Sequence, residues 1–228
     1  MIYRVIRLRD PVNRLVDLAL PAACAGCGVE GEPLCPACRP AVDARLRLPA
    51  GTPLGLADGP PEPLLQLDWC SPFAGVTRRA LHALKYAGER RLAVPLGAAV
   101  AARWRAAGAG GDLLVPVPVH VSRRRERGYD QAELIAAAAS DVLGIAWRPA
   151  LVRARATAAQ YRLDRRHRAS NVHEAFLVRP GSAAEVAGRW VVLVDDVVTT
   201  GATLVACADA LLADGAAAVS AVTVARER

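Results

Sequence analysis

The sequence predicts an α/β protein, a parallel sheet flanked by helices with a small cysteine-bearing segment at the N-terminal end. Three observations predict it. Short apolar runs alternate with helical stretches from residue 64 onward, four cysteines sit in two close pairs between residues 24 and 38, and one apolar strand ends in two adjacent acids.

A chain of 228 residues buries one sizeable core, with room for a small appendage. With 53% apolar and 22% charged residues it is globular rather than disordered. No apolar run reaches the eighteen or so residues that span a bilayer. The opening "MIYRVIRLRDPVNRLVDLAL" is broken by Arg4, Arg7, Arg9, Asp10 and Arg14, so it lacks the apolar region of a signal peptide. A cytoplasmic location is the expectation.

Taken in order, residues 11–20 have helical spacing and lead into "CAGCGVEGEPLCPAC", 24–38, with a short helix around 39–48. The Pro- and Gly-crowded stretch 49–63 reads as a linker, which divides the chain into 1–48, 49–63 and 64–228. Beyond it "LLQLDW" is a strand and 76–87 and 90–107 are helices. "DLLVPVPV", 112–119, is a strand running into a proline-stiffened loop, and 129–144 is a helix with a glycine stop. "WRPALV" is strand-like, 154–174 is a long basic loop, and "AFLV" and "RWVVLV" are strands. A helix over 201–214 and a strand over 216–225 close the chain.

Cys24, Cys27, Cys35 and Cys38 form two CxxC knuckles. Each brings two sulfurs to one side of a tight turn, and two such turns close a tetrahedral thiolate cage of the zinc-ribbon kind around Zn²⁺. A cytoplasmic chain argues against disulfides, and a redox CxxC does not need a second pair. Four thiolates leave no open coordination position, so the metal is structural. Cys70 and Cys207 are isolated and read as small apolar core residues.

Charge is uneven. The net charge is +7, and between His120 and Ser170 eleven arginines face five acids. A focused basic region suits a polyanion, while a solvated face accounts for any single arginine. Of 29 basic residues only Lys85 is a lysine. It is either a point charge fitted to a small site, where guanidinium is no substitute, or a chance survivor of a coding bias.

The stretch "VVLVDDVVTTGAT" carries the most chemistry. An NTPase reading needs a lysine in a glycine-rich loop, and the one lysine lies in "LKYAG". The dinucleotide fingerprint is also absent. After Asp195 and Asp196 come two hydroxyls, Thr199 and Thr200, then Gly201 and a helix start, an arrangement whose amides cradle a phosphate. Acids next to a phosphate cradle make sense when they face the hydroxyls of the same ligand, as in a sugar phosphate.

These thirteen residues closely resemble the signature for 5-phosphoribosyl-1-pyrophosphate (PRPP) in type I phosphoribosyltransferases. By that resemblance Asp195 and Asp196 bind the ribose hydroxyls, and Val197, Val198, Thr199, Thr200, Gly201, Ala202 and Thr203 wrap the 5′-phosphate. "DLLVPVPVHVSRRRERGYDQAELIA", "QYRLDRRHRASNVHEAF" and the cysteine knuckles resemble the competence protein F (ComF) family over nearly the whole chain, a family linked with DNA uptake in natural transformation. The resemblance places the pyrophosphate loop at Pro118, Val119 and His120, and a ligand-covering loop at 157–172. It also implies Mg²⁺ accompanying PRPP.

In an active transferase, Arg162, Arg165, Arg166 or Arg168 would stabilise the pyrophosphate as it leaves. Gln160, Asn171, His120 and His167 are further candidates for ligand contact, each with an ordinary surface role as the alternative. No segment resembles a base-recognising hood, so the acceptor is unassigned. The competing class is a module that keeps a PRPP-type site and holds single-stranded DNA on Arg123, Arg124, Arg125 and Arg127. Aromatics are only 4% of the chain, and of the tyrosines only Tyr129 and Tyr161 lie in the basic stretch, so its stacking platform would be sparse. A third reading makes the cysteine segment a docking point for competence machinery such as a helicase-like partner.

Overall fold

The computed structural model describes residues 22–46, 48, 59–108, 110–153 and 175–227. Within them the core element is a four-stranded, all-parallel sheet in the spatial order β3 (Leu67–Pro72), β8 (Ala218–Arg226), β7 (Trp190–Val198), β4 (Leu113–Pro116). The two central strands, β7 and β8, run nine residues each, and seven of the nine in β8 are buried. A strand covered on both faces reads as a continuous apolar run, and this is why "VVLV" carries no alternation. Trp147 adds a parallel bridge to Leu114 at the outer edge.

Helices cover the two faces. Val192, Val194, Val222 and Leu114 pack with α2 (Gly75–Tyr86), α3 (Ala93–Ala106) and α5 (Gln131–Leu143) on one side. Val191, Leu193, Val219 and Val115 pack with α7 (Ala202–Ala213) on the other. Between α3 and α5 the contact is close: a Cβ at Gly97 would lie 2.5 Å from that of Ala138 and 2.8 Å from the Ile135 carbonyl oxygen. The small residues of both helices are therefore a packing requirement as well as a composition bias.

The remaining elements are small. β1 (Ala22–Ala23) and β2 (Glu30–Gly31) pair antiparallel around the cysteines, followed by α1 (Arg39–Val42). α4 (Val121–Arg127) and α6 (Ala183–Val186) are short helices that periodicity did not signal. β5 (Leu151–Arg153) and β6 (Phe176–Val178) are strands, as expected, but they pair with each other antiparallel in a separate two-stranded sheet. Among the described residues no helix is long and apolar enough to cross a membrane.

The cysteine segment shares the core of the sheet domain. Cys24, Leu34, Cys35 and Val42 belong to the same apolar cluster as Leu81, Leu84 and Val194. A buried charge cluster fastens the join. Asp68, on edge strand β3 and 1% exposed, accepts from Arg103 Nε at 2.9 Å and lies 3.5 Å from Arg45 Nε. Arg103 also donates to the Arg45 carbonyl at 2.8 Å, and the Arg45 amide donates to the Cys70 carbonyl at 2.9 Å. Arg45 stacks over Trp69 at 4.2 Å, and burial lowers its pKa.

Removing one member of such a buried set leaves the others uncompensated. Asp68→Ala is expected to lower unfolding stability by about 3–5 kcal/mol in urea titrations. A change within 1 kcal/mol would show that Arg45 and Arg103 are solvated without it.

Candidate functional site

The site lies at the C-terminal edge of the sheet, where β7 and β4 end side by side. β7 continues through both acids to Val198, longer than the strand expected over 189–194, so Asp195 and Asp196 are part of the strand. Asp195 continues the parity of Val191 and Leu193, and Asp196 that of Val192 and Val194. Each folds one oxygen back on the chain: Asp195 Oδ1 accepts from the Asp196 amide and Asp196 Oδ1 from the Val197 amide, both at 2.8 Å.

The remaining Asp196 oxygen, Oδ2, is ion-paired with Lys85 Nζ. Lys85 sits in the last turn of α2, on the face to which the parity of Asp196 points. Burial holds the Asp195 carboxyl well above the usual carboxylate range, the charge on Asp196 adds to the rise, and Lys85 opposes it only weakly.

After the acids the chain turns sharply. Thr199 and Thr200 are exposed, and Gly201 adopts φ +85° before α7 begins. Only glycine takes this left-handed conformation without strain. Thr200 Oγ1 accepts from the Ala202 amide at 3.4 Å, and the first amides of α7 have no intrahelical acceptor. Ala202 and Thr203 form the exposed first turn of the helix. The arrangement is an anion cradle one step beyond two carboxylates.

The loop after β4 lies beside it. The Val117 amide donates to the Val194 carbonyl at 2.9 Å and so extends the β4–β7 pairing toward the acids. Pro118 and Val119 are half-buried and His120 is exposed, its Nδ1 accepting from the Ser122 amide at 3.3 Å. A residue not singled out in the sequence closes this loop. Asp130, 2% exposed, accepts from the Val119 amide at 3.0 Å with Oδ2 and caps α5 by accepting from Ala132 with Oδ1 at 2.9 Å. Burial raises its pKa, and the Val119 amide partly offsets the rise. The signal available was an Asp directly before a helical run, a preferred N-cap.

The basic residues spread out. Arg123, Arg124 and Arg125 are exposed on α4, which buries no residue, and Arg124 forms a two-pronged contact with Glu133 at 2.7 and 3.0 Å. Arg127 lies 5.0 Å over the ring of Tyr86, which is 66% exposed and meets the His82 ring at a tilt of 57° with centroids 5.3 Å apart. Tyr129 is buried instead, with its hydroxyl donating to the Leu84 carbonyl and Arg90 at 4.5 Å over its ring. Gln160, Arg162, Arg165, Arg166, His167, Arg168 and Asn171 lie outside the described residues.

The cysteines converge. The four sulfurs of Cys24, Cys27, Cys35 and Cys38 lie within 4.8 Å of one another, and Cys27 and Cys35 are 3.7 Å apart. Tetrahedral zinc with bonds of about 2.3 Å places its sulfurs about 3.8 Å apart, so the cage fits. Burial opposes ionisation of Cys24, but the amides of Cys35, Cys27 and Gly26 outweigh it and bring its pKa down to about 6. Burial and the neighbouring sulfurs push Cys38 up to about 12. A Cβ at Gly26 would fall 2.5 Å from Cys38 Sγ, so this position admits no side chain. Cys70 and Cys207 are buried apart from the cage, 1% and 0% exposed, as the sequence suggested.

Known proteins resemble this chain in sequence. The model of the phosphoribosyl transferase domain family matches residues 92–228. The DNA utilization protein YhgH of Salmonella typhi is 32% identical over 207 residues, 87% of this chain and 86% of that protein. Its Escherichia coli counterpart is 34% identical over 193 residues, 82% and 81% of the two chains. Competence protein F of Haemophilus influenzae is 38% identical over 94 residues, 41% of each. Among solved structures, an allosteric regulatory enzyme of purine biosynthesis superposes with a TM-score of 0.42 at 18% identity, over 58% of this chain and 26% of that one. Glutamine PRPP amidotransferase from B. subtilis gives 0.40 at 20%, over 57% and 25%. The chain thus spans about a quarter of those two enzymes.

A carboxyl held above its ordinary range binds its proton more tightly folded than unfolded, so its ionisation removes stability as pH rises from the ordinary carboxylate range through the folded value. Asp195→Asn is therefore expected to raise the melting temperature at neutral pH, with the gain vanishing toward about pH 4. An equal melting temperature across that range would show that Asp195 carries no such strain. The purified chain should release about one zinc per molecule on thiol blocking, and Cys24→Ser/Cys38→Ser should carry none and melt lower. Full metal content in that variant would remove the cage assignment.

Proposed function

The chain belongs to the phosphoribosyl transferase domain family, among the ComF-type DNA utilization proteins, and on that premise we propose that it binds PRPP and transfers its phosphoribosyl group. The observation that carries the proposal is the order of parts at the end of β7: two acids, two exposed threonine hydroxyls, a left-handed glycine and a helix N-terminus. Hydroxyls and a phosphate on one ligand match that order, and a ribose 5-phosphate supplies both.

Each part has a chemical task. Asp195 and Asp196 accept hydrogen bonds from the ribose hydroxyls, and the amides and hydroxyls from Val197 to Thr203 hold the 5′-phosphate. The loop Pro118–Val119–His120, held by Asp130 at the Val119 amide, faces the pyrophosphate. Mg²⁺ bound with PRPP supplies countercharge to the pyrophosphate. Charge builds on the leaving group as C1 gains oxocarbenium character, and Arg162, Arg165, Arg166 or Arg168 is assigned to that charge. Reduced thiolates at the four cysteines suit a cytoplasmic location.

A nucleic-acid partner fits a separate surface. The relatives are named for DNA utilization and competence, and here Arg127 lies over an exposed Tyr86 next to His82. The fold thereby brings aromatic rings from α2 to the basic helix of Arg123, Arg124, Arg125 and Arg127. That surface suits unpaired bases and their phosphates, and contact with the competence machinery would follow from DNA handling.

Calorimetric titration of PRPP with Mg²⁺ tests the main reading. Wild type is expected to bind in the micromolar range and Asp195→Asn/Asp196→Asn not at all, and nucleobases can then be screened for pyrophosphate release. Heat-silent titration of wild type, with thermal shift equally unmoved, would reject it.

A further inference from the structure

Lys85 is the one lysine among 29 basic residues, and it is placed against one of the two site acids. Its side chain is 17% exposed and that of Asp196 9%, so the pair is largely withdrawn from solvent. Asp196 has committed its other oxygen to the Val197 amide. The lysine is also held from behind. The carbonyl of the preceding residue, Leu84, takes the hydroxyl of Tyr129, and the next residue, Asp130, holds the Val119 amide. One side chain thus joins the end of β7 to a helix end that is itself fastened to the loop after β4.

The residue type is informative. Elsewhere this chain uses arginine for every basic position, and its one lysine stands against a buried carboxylate. Guanidinium grips a carboxylate with a rigid planar fork, whereas an ammonium is a compact charge on a flexible stem that lets go and swings. Two adjacent carboxylates also repel an anionic ligand, and a cation that neutralises one of them lowers that barrier.

We propose that Lys85 is a positioning residue of the ribose site: its ammonium holds Asp196 in the empty site, yields the carboxylate to the ligand's hydroxyls, and stays beside it as countercharge to the bound anion. The proposal rests on the PRPP reading above.

The test uses ribose 5-phosphate, which needs no accompanying metal, with PRPP and Mg²⁺ as second ligand. Binding and melting temperature are measured for wild type, Lys85→Met, Lys85→Arg and Lys85→Met/Asp196→Asn. Lys85→Met is expected to weaken ribose 5-phosphate at least tenfold and to melt lower, and the double variant to recover the melting temperature without the binding. Lys85→Arg is expected to melt near wild type yet bind at least tenfold more weakly, because the fork does not release Asp196. A lysine that only braced the fold would regain both properties in Lys85→Arg.

A spectroscopic readout comes from the lysine's uniqueness. Reductive methylation with ¹³C-formaldehyde gives one side-chain dimethylammonium resonance, which is expected to shift with ribose 5-phosphate in wild type and to stay unmoved in Asp196→Asn. Wild-type binding that Lys85→Met retains, or an unmoved resonance in wild type that binds, would overturn the role of Lys85 alone. Wild type that binds neither ligand would overturn the PRPP reading and this proposal with it.

Discussion

Carboxylates at the end of a strand buried on both faces are an electrostatic load, and the site is arranged around carrying it. An unpaired buried charge costs several kcal/mol, so each oxygen of Asp195 and Asp196 needs a donor, a counterion or a ligand. Backbone amides take one oxygen of each acid, and Lys85 takes the second of Asp196. Asp195 is left with the larger debt, visible in its raised pKa. Under the PRPP proposal, the ribose hydroxyls are the further donors to these two acids.

The same device recurs at two other joins in the chain. Asp130 anchors the loop after β4 at Val119 and starts α5 with the same carboxylate. Asp68 joins the cysteine segment to the edge of the sheet through Arg45 and Arg103. Buried acids with specific partners give a fold directionality that apolar packing lacks, because they tolerate one arrangement only. In a chain so rich in alanine and valine, the buried acids Asp68, Asp130 and Asp196 fix how the parts are joined.

Much of this was legible in the sequence, and the reasons are physical. The cysteine cage and the acid–threonine–glycine turn depend on residues close together in the chain, whose spacing encodes geometry, and the parallel sheet was legible from strands alternating with helices. What was not legible depends on distant partners. Lys85 stood out by composition, yet nothing local pointed it at Asp196. Tyr129 was counted with the basic stretch, while its hydroxyl is buried on Leu84 and the exposed ring beside Arg127 is Tyr86, from another helix. The antiparallel pairing of β5 with β6 escaped because period and composition identify a strand without giving its partner. β7 ran past its expected end because its acids are paid for by contacts, and charge alone looked like a stop.

The helix α2 connects these themes. In its first half Arg79 donates to the carbonyl of Gly26 at 2.8 Å and that of Ala25 at 3.3 Å, which are the turn of the first cysteine knuckle. Along its length Leu81 and Leu84 pack in the same cluster as Cys24, Leu34 and Val42. At its end Lys85 reaches Asp196 and Leu84 receives Tyr129. A helix of twelve residues is a stiff rod of about 18 Å, so a shift at one end is transmitted to the other rather than absorbed. The cysteine segment and the end of β7 therefore meet on one helix, where Arg79 holds the turn of the first knuckle and Lys85 meets Asp196.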